Sequence, residues 1–118
     1  MKPVLLHEGE GRTRVSLSVQ SIGRDLVVCV FNEQAHLGAV AVADYSHEED
    51  RASTSIITRL GHKDDVVASN VAHKLCRNLK KPVCAIAGIH LDDITEEEIA
   101  EIIRNCNKLV DTLVGSGQ

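Results

Sequence analysis

The sequence predicts an α+β fold, a largely antiparallel sheet with two helices packed on it, in the order ββββαβα. Three observations carry that prediction. Residues 12–60 hold period-two and β-branched stretches, the period changes to 3.6 after Asp64 and again after Thr95, and one short apolar run separates the two helical stretches.

The first predicted strand is RTRVSLSVQSI, residues 12–22. Val15, Leu17 and Val19 point one way and Arg12, Arg14, Ser16, Ser18 and Gln20 the other, which suits a strand with one solvated face. Gly23 and Arg24 make a turn. DLVVCVF (25–31) and LGAVAVADY (37–45) are apolar at successive positions, so both are expected to be central strands covered on both sides, joined by a hairpin over Asn32 to Ala35. SHEEDR is a loop, and ASTSIITRL (52–60), rich in β-branched residues, is a fourth strand.

The first helix should bury Val67, Ala68, Val71, Ala72, Leu75, Cys76 and Leu79 and end near Lys80, because Pro82 disfavours its continuation. PVCAIAGIHL (82–91) is a short buried strand. Thr95 and Glu98 then have the spacing of a capping box, and Ile94 and Ile99 that of a hydrophobic staple. Ile99, Ile102, Ile103, Cys106, Leu109, Val110 and Leu113 run down one side of the second helix, and Gly115 stops it.

The 118 residues predict one domain over 1–118, with its core over about 9–115. A content of 43% hydrophobic and 25% charged residues is that of a folded globular chain. The formal charge of -4, the absence of a basic run longer than Lys80-Lys81, and Phe31 and Tyr45 as the only aromatics argue against nucleic-acid binding. Val4 to Leu6 is too short an apolar run for a signal peptide or a membrane span, so the expected location is the cytoplasm. Cys29, Cys76, Cys84 and Cys106 lack C-x-x-C spacing and are expected to be reduced core residues.

No P-loop or G-x-G-x-x-G stands in the chain. GEGRTR (9–14) can meet a phosphate through Arg12 or Arg14, although a solvated strand face explains those arginines better. Glutamates 96–98 suit the N-terminal dipole of a helix. Asp64 or Asp65 can cap the first helix, and Lys63 beside its N-terminus can meet an anion. His7, His47 and His73 fall in a tail, a loop and an exposed helix face. His36, His62 and His90 are different, because each sits at a strand end beside a glycine. If these three converge they can bind zinc with a position open for water, or they can only shape loops.

The segments GRTRV, HLGAV, GHKDDVVA and AGIHLDDIT, followed by an acidic helix, resemble the small D subunit of gallate decarboxylase, a family described as prenylated-flavin chaperone-like. The likeness runs from about Gly9 onward and extends to the proteasome-assembly-chaperone fold, whose members pair into dimers. It implies a non-catalytic accessory protein that binds or delivers prenylated FMN, or FMN, to a partner decarboxylase of aromatic acids, or stabilises that partner.

As an expectation, the flavin phosphate meets a helix N-terminus and Lys63, with Asp64 and Asp92 in the same loops. His36, His62 and His90 then touch phosphate, ribityl hydroxyls or ring edges, and Gly38, Gly61 and Gly88 let backbone N–H groups come close. Two alternatives remain. One is a ligand-free homodimeric scaffold. The other is a metal-dependent hydrolase or lyase with His36, His62 and His90 on zinc and Asp64, Asp65, Asp92 or Asp93 as general base.

Overall fold

The computed structural model describes residues 4–59 and 64–116. Six strands form a single sheet: β1 (Val4–Glu8), β2 (Val15–Ile22), β3 (Asp25–Phe31), β4 (Ala39–Ser46), β5 (Arg51–Thr58) and β6 (Val83–Gly88). Helix α1 (Asp65–Leu79) lies between β5 and β6, and α2 (Glu96–Gly115) follows β6. A 3-10 turn over Gly11–Thr13 joins β1 to β2, so the run expected to start a strand at Arg12 enters it only at Val15.

The strand order across the sheet is β1-β2-β3-β6-β4-β5, and it corrects the expected topology in two ways. The sheet is mixed, because β3 and β6 run parallel while the other neighbouring pairs are antiparallel. No hairpin joins β3 to β4, because β6 lies between them. VCAIAG, the apolar run that follows α1, claims the central place that sequence proximity had assigned to a turn. The strand β1 was not expected either. VLLHE is short, and its alternation becomes meaningful only once Leu6 is opposite Leu17 and His7 opposite Ser16.

Both helices pack on one face of the sheet. The side-chain sizes beneath them differ. Under α1 the sheet presents Ala39, Ala41 and Ala43 of β4 and Ala85 and Ala87 of β6, with Ala68 and Ala72 facing them from the helix, so the two backbones can approach closely. Toward α2 the sheet presents the larger Val15, Leu17 and Val19, which meet Ile102, Cys106, Leu109, Val110 and Leu113. Ile99, expected on that buried stripe, is exposed, and so is Ile94.

The ends of the helices follow local chemistry. Thr95 and Glu98 close the capping box, with Glu98 N–H donating to Thr95 Oγ1 at 3.1 Å and Thr95 N–H to Glu98 Oε1 at 3.1 Å. Lys80 takes a left-handed conformation (φ 56°) and donates its N–H to the Cys76 carbonyl, which stops α1 two residues before Pro82. Asp64 stands at the N-cap of α1 but makes no side-chain cap hydrogen bond.

Among the described residues nothing covers the opposite face of the sheet, which corrects the expectation that β3 and β4 are buried on both sides. One row across it reads Leu5, Ser18, Cys29, Ile86, Val40, Ile57. Leu5, Val42 and Ile57 on this face are 57%, 50% and 75% exposed. Apolar pairing between neighbouring strands therefore accounts for the apolar character of both faces, without a second layer of helix.

Candidate functional site

The site lies where the chain leaves the parallel pair. Strands β3 and β6 end side by side, with Phe31 opposite Gly88, and their outgoing loops diverge. The loop after β3 crosses the end of β6 to reach β4, and the loop after β6 leads to α2. Open sheets place ligands at such divergences, outside the carboxyl ends of parallel strands.

Close contacts hold the crossing. Asn32, nearly buried, donates from Nδ2 to the His90 carbonyl at 2.7 Å and accepts the His90 N–H on Oδ1 at 3.1 Å, tying one loop to the other. Gly38 N–H donates to the Ala87 carbonyl at 2.9 Å. A side chain at Gly88 would collide with the His36 carbonyl, and one at Gly38 would meet the Asp64 carboxylate, with its carbon 2.6 Å away. These glycines therefore let loop approach loop, and the space above each is filled by protein rather than open to a ligand. Asp64 is buried here and accepts the Ile89 N–H at 3.4 Å.

Of the residues singled out in the sequence, the fold gathers His36, Gly38, Asp64, Gly88, His90 and Asp92 at this end of the sheet. The His36 and His90 rings lie 5.2 Å apart, tilted by 41°, and His90 Nε2 is 3.0 Å from Asp92 Oδ1. Gly61, His62 and Lys63 lie outside the described residues. Among the described residues no group of three or more His, Cys, Asp and Glu side chains is arranged to hold a metal. Asp93 occupies a turn at φ 53°, and Asp65 lies in the first turn of α1. Both helix N-termini carry their own carboxylates, Asp65 at α1 and Glu96, Glu97 and Glu98 at α2, which leaves little dipole attraction for an incoming phosphate.

Arg12 clamps the second loop. Its Nε donates to Glu98 Oε2 at 2.7 Å and its Nη2 to the Asp92 carbonyl at 2.7 Å, joining the 3-10 turn, the loop and the start of α2. The hydrogen bond from Arg12, followed by that from the Thr95 backbone, pulls the Glu98 carboxyl down from 4.5 to about 2, and Glu98 in turn raises Arg12.

Beside the crossing, on the open face, is a cleft of about 680 Å³. Its floor is a row of cross-strand neighbours: His7, Ser16 and Phe31. The His7 Nδ1 and Ser16 Oγ atoms are 2.7 Å apart. Arg12 and Arg14 border one side, and Asn32, Glu33, Gln34 and Leu91 come from the two loops. Among the described residues the Arg14 guanidinium has no hydrogen-bond or ion-pair partner, whereas Arg12 is held by Glu98.

Sequence reasoning weighed Arg14 as a phosphate contact but left His7 in a tail, put Ser16 on a solvated strand face and counted Phe31 as one of two aromatics without placing it in a site. The alternation of VLLHE was the signal that could have brought His7 into the site, since it puts His7 on the same face as Ser16.

The fold is similar to a chain of a yeast chaperone complex for 20S proteasome assembly, at a TM-score of 0.63 and 16% identity over 96% of this chain and 97% of that one. No curated protein sequence matches the chain. Among the described residues no helix is long and apolar enough to cross a membrane. Residues 9–117 match the model of the prenylated flavin chaperone LpdD-like domain, and with nearly the whole chain covered, this protein belongs to that family.

Proposed function

We propose that this chain is a non-catalytic accessory protein of the cytoplasm that binds prenylated FMN, or FMN, transiently and delivers it to a partner aromatic-acid decarboxylase, or stabilises that partner. Membership of the prenylated flavin chaperone family over residues 9–117 is the observation that carries this reading. The cleft suits the ligand. Its volume lies within the range of small-molecule sites, Phe31 offers a ring face, Arg14 offers a guanidinium for a phosphate, and Ser16, Asn32 and Gln34 offer partners for hydroxyls.

The flavin is proposed to extend from this cleft toward the loop crossing. His36, His90 and Asp92 are contacts at the rim there, while Gly38, Gly88 and Asp64 shape the crossing. Gly61, His62 and Lys63 complete the proposed set. When bound, prenylated FMN supplies the decarboxylation chemistry to the partner enzyme. This chain's residues hold and release it.

The test is activation of an apo-decarboxylase by prenylated FMN with and without this protein. Faster activation by the parent, reduced in His90→Ala and His62→Ala, is expected. Equal activation by both variants would remove the histidines from the proposal, and no acceleration by the parent would refute delivery.

The bare sheet face favours a second element of the reading, a homodimer. Away from the His7–Ser16–Phe31 row that floors the cleft, the rows through Ser18 and Gln20 remain for pairing on this face. Its middle rows carry no formal charge, so a second copy can meet it without like-charge repulsion. Sedimentation velocity is expected to give a dimer that Val42→Glu dissociates. A parent that is monomeric at all concentrations would refute pairing. A dimer that binds the decarboxylase but no flavin would favour a ligand-free scaffold.

A further inference from the structure

We infer that the open-face cleft recognises a planar aromatic group bearing an oxyanion, with the anion on Arg14 and the ring against Phe31. The inference rests on the flavin reading only in taking FMN as the first ligand to try. The same chemistry is offered by the carboxylate of an aromatic acid.

The placement of Arg14 comes first. It is extended (φ -64°, ψ 131°) and stands two residues before Ser16, so it emerges on the open face with Ser16 and Phe31. Of the two arginines at the cleft, Arg12 is bound to Glu98 and the Asp92 carbonyl, which leaves Arg14 as the cation with donors to spare among the described residues. A guanidinium presents a planar fork of N–H donors that matches a carboxylate or a phosphate.

Phe31 is the chain's single phenylalanine, and it lies half-buried on the cleft floor rather than in the core beneath the helices. An aromatic ring there offers a flat partner of the kind an aromatic ligand favours. Glu33 and Gln34 stand on the loop side of the same cleft. A carboxylate in that position disfavours a second anionic group and favours hydrogen-bond donors. The preferred ligand is therefore anionic at one end and donor-rich at the other. FMN offers donors away from its phosphate through the ribityl hydroxyls and the N3–H of the ring, and hydroxylated aromatic acids offer them through their phenols.

Isothermal titration with FMN, riboflavin and benzoate, against the parent and the Arg14→Gln, Phe31→Leu and Arg24→Gln proteins, tests this directly. Arg24 is an exposed arginine at the far end of β2 and serves as the control. Arg14→Gln is expected to weaken FMN by about tenfold or more, the loss of a charge-assisted pair, while leaving riboflavin within about twofold. Phe31→Leu, which keeps apolar bulk on the floor, is expected to weaken FMN and riboflavin alike by about threefold or more. Arg24→Gln should change neither.

FMN bound equally by the parent and Arg14→Gln would overturn this site and leave the flavin reading standing. Benzoate bound in an Arg14-dependent way, with no binding of FMN or of prenylated FMN titrated in the same way, would support the site and overturn the flavin reading. A parent that binds none of the three overturns the inference.

Discussion

Substitution Gly88→Ala tests the loop crossing on which the site depends. The methyl group would collide with the His36 carbonyl oxygen and come to 3.0 Å from its carbon, and both atoms are backbone, so the β3–β4 loop itself must lift. Overpacking of this kind costs about 1–3 kcal/mol. Replacing a glycine also narrows the unfolded ensemble, which returns about 0.4–1 kcal/mol. A net loss of about 1–2 kcal/mol follows, or a fall of about 4–8 °C in Tm for a chain of this length.

Gly115→Ala is the matched control. It lies in the last turn of α2, with nothing within 4 Å of the added carbon, and helix propensity predicts a gain of about 0.5 kcal/mol. Urea unfolding of the two proteins measures both signs. Because the loop that moves carries Asn32, Glu33 and Gln34, Gly88→Ala should also weaken whatever the cleft binds. A Gly88→Ala protein within about 0.5 kcal/mol of the parent would refute the claim that the crossing requires a glycine.

The Glu98 carboxyl is lowered in the folded protein, so its contribution is present above its unfolded value near 4.5 and is lost as pH falls toward about 2. Glu98→Gln should therefore flatten the acid limb of the stability curve over that window, read by thermal unfolding between pH 2 and pH 6. Asn105→Ala removes a buried donor that lies 3.0 Å from the Thr13 carbonyl and should cost about 1–3 kcal/mol in denaturant unfolding; a neutral result would mean that the carbonyl finds another partner. Burial pushes the Cys106 thiol up to about 12 and raises Cys76 as well. Burial raises Cys84 too, so in the folded protein alkylation followed by mass spectrometry should modify the half-buried Cys29 first, and early modification of Cys106 would contradict its burial.

The two helices were legible because each carries its own signals: the 3.6-residue stripe from Val67 to Leu79, and the Thr95–Glu98 box at the start of α2. The alternation of β2 was legible for the same reason, since its three buried residues and its serines are neighbours in the chain. The clustering of His36 with His90 was visible only as a shared habit of standing at strand ends. Nothing in their spacing encodes a 5.2 Å ring separation. Asn32 read as a hairpin residue because Asn favours turns, and its true role needs His90, 58 residues away. The wording of HLGAV and AGIHLDDIT, matched to a family, carried more of the function than any periodicity did.

The sequence by itself determined the kinds of element from β2 onward, the ends of both helices, the α+β class and the family, because propensity, capping and hydrophobic period act over a few neighbouring residues. Only the tertiary structure decided that β6 enters between β3 and β4, that one sheet face is left uncovered by the described residues, and that His7, Arg14, Ser16 and Phe31 line a single cleft. Those outcomes depend on strand pairing between residues far apart in the chain, such as Phe31 with Gly88 and His7 with Ser16. Such pairings are selected by how the whole set of apolar faces can be buried at once, and no local pattern specifies that.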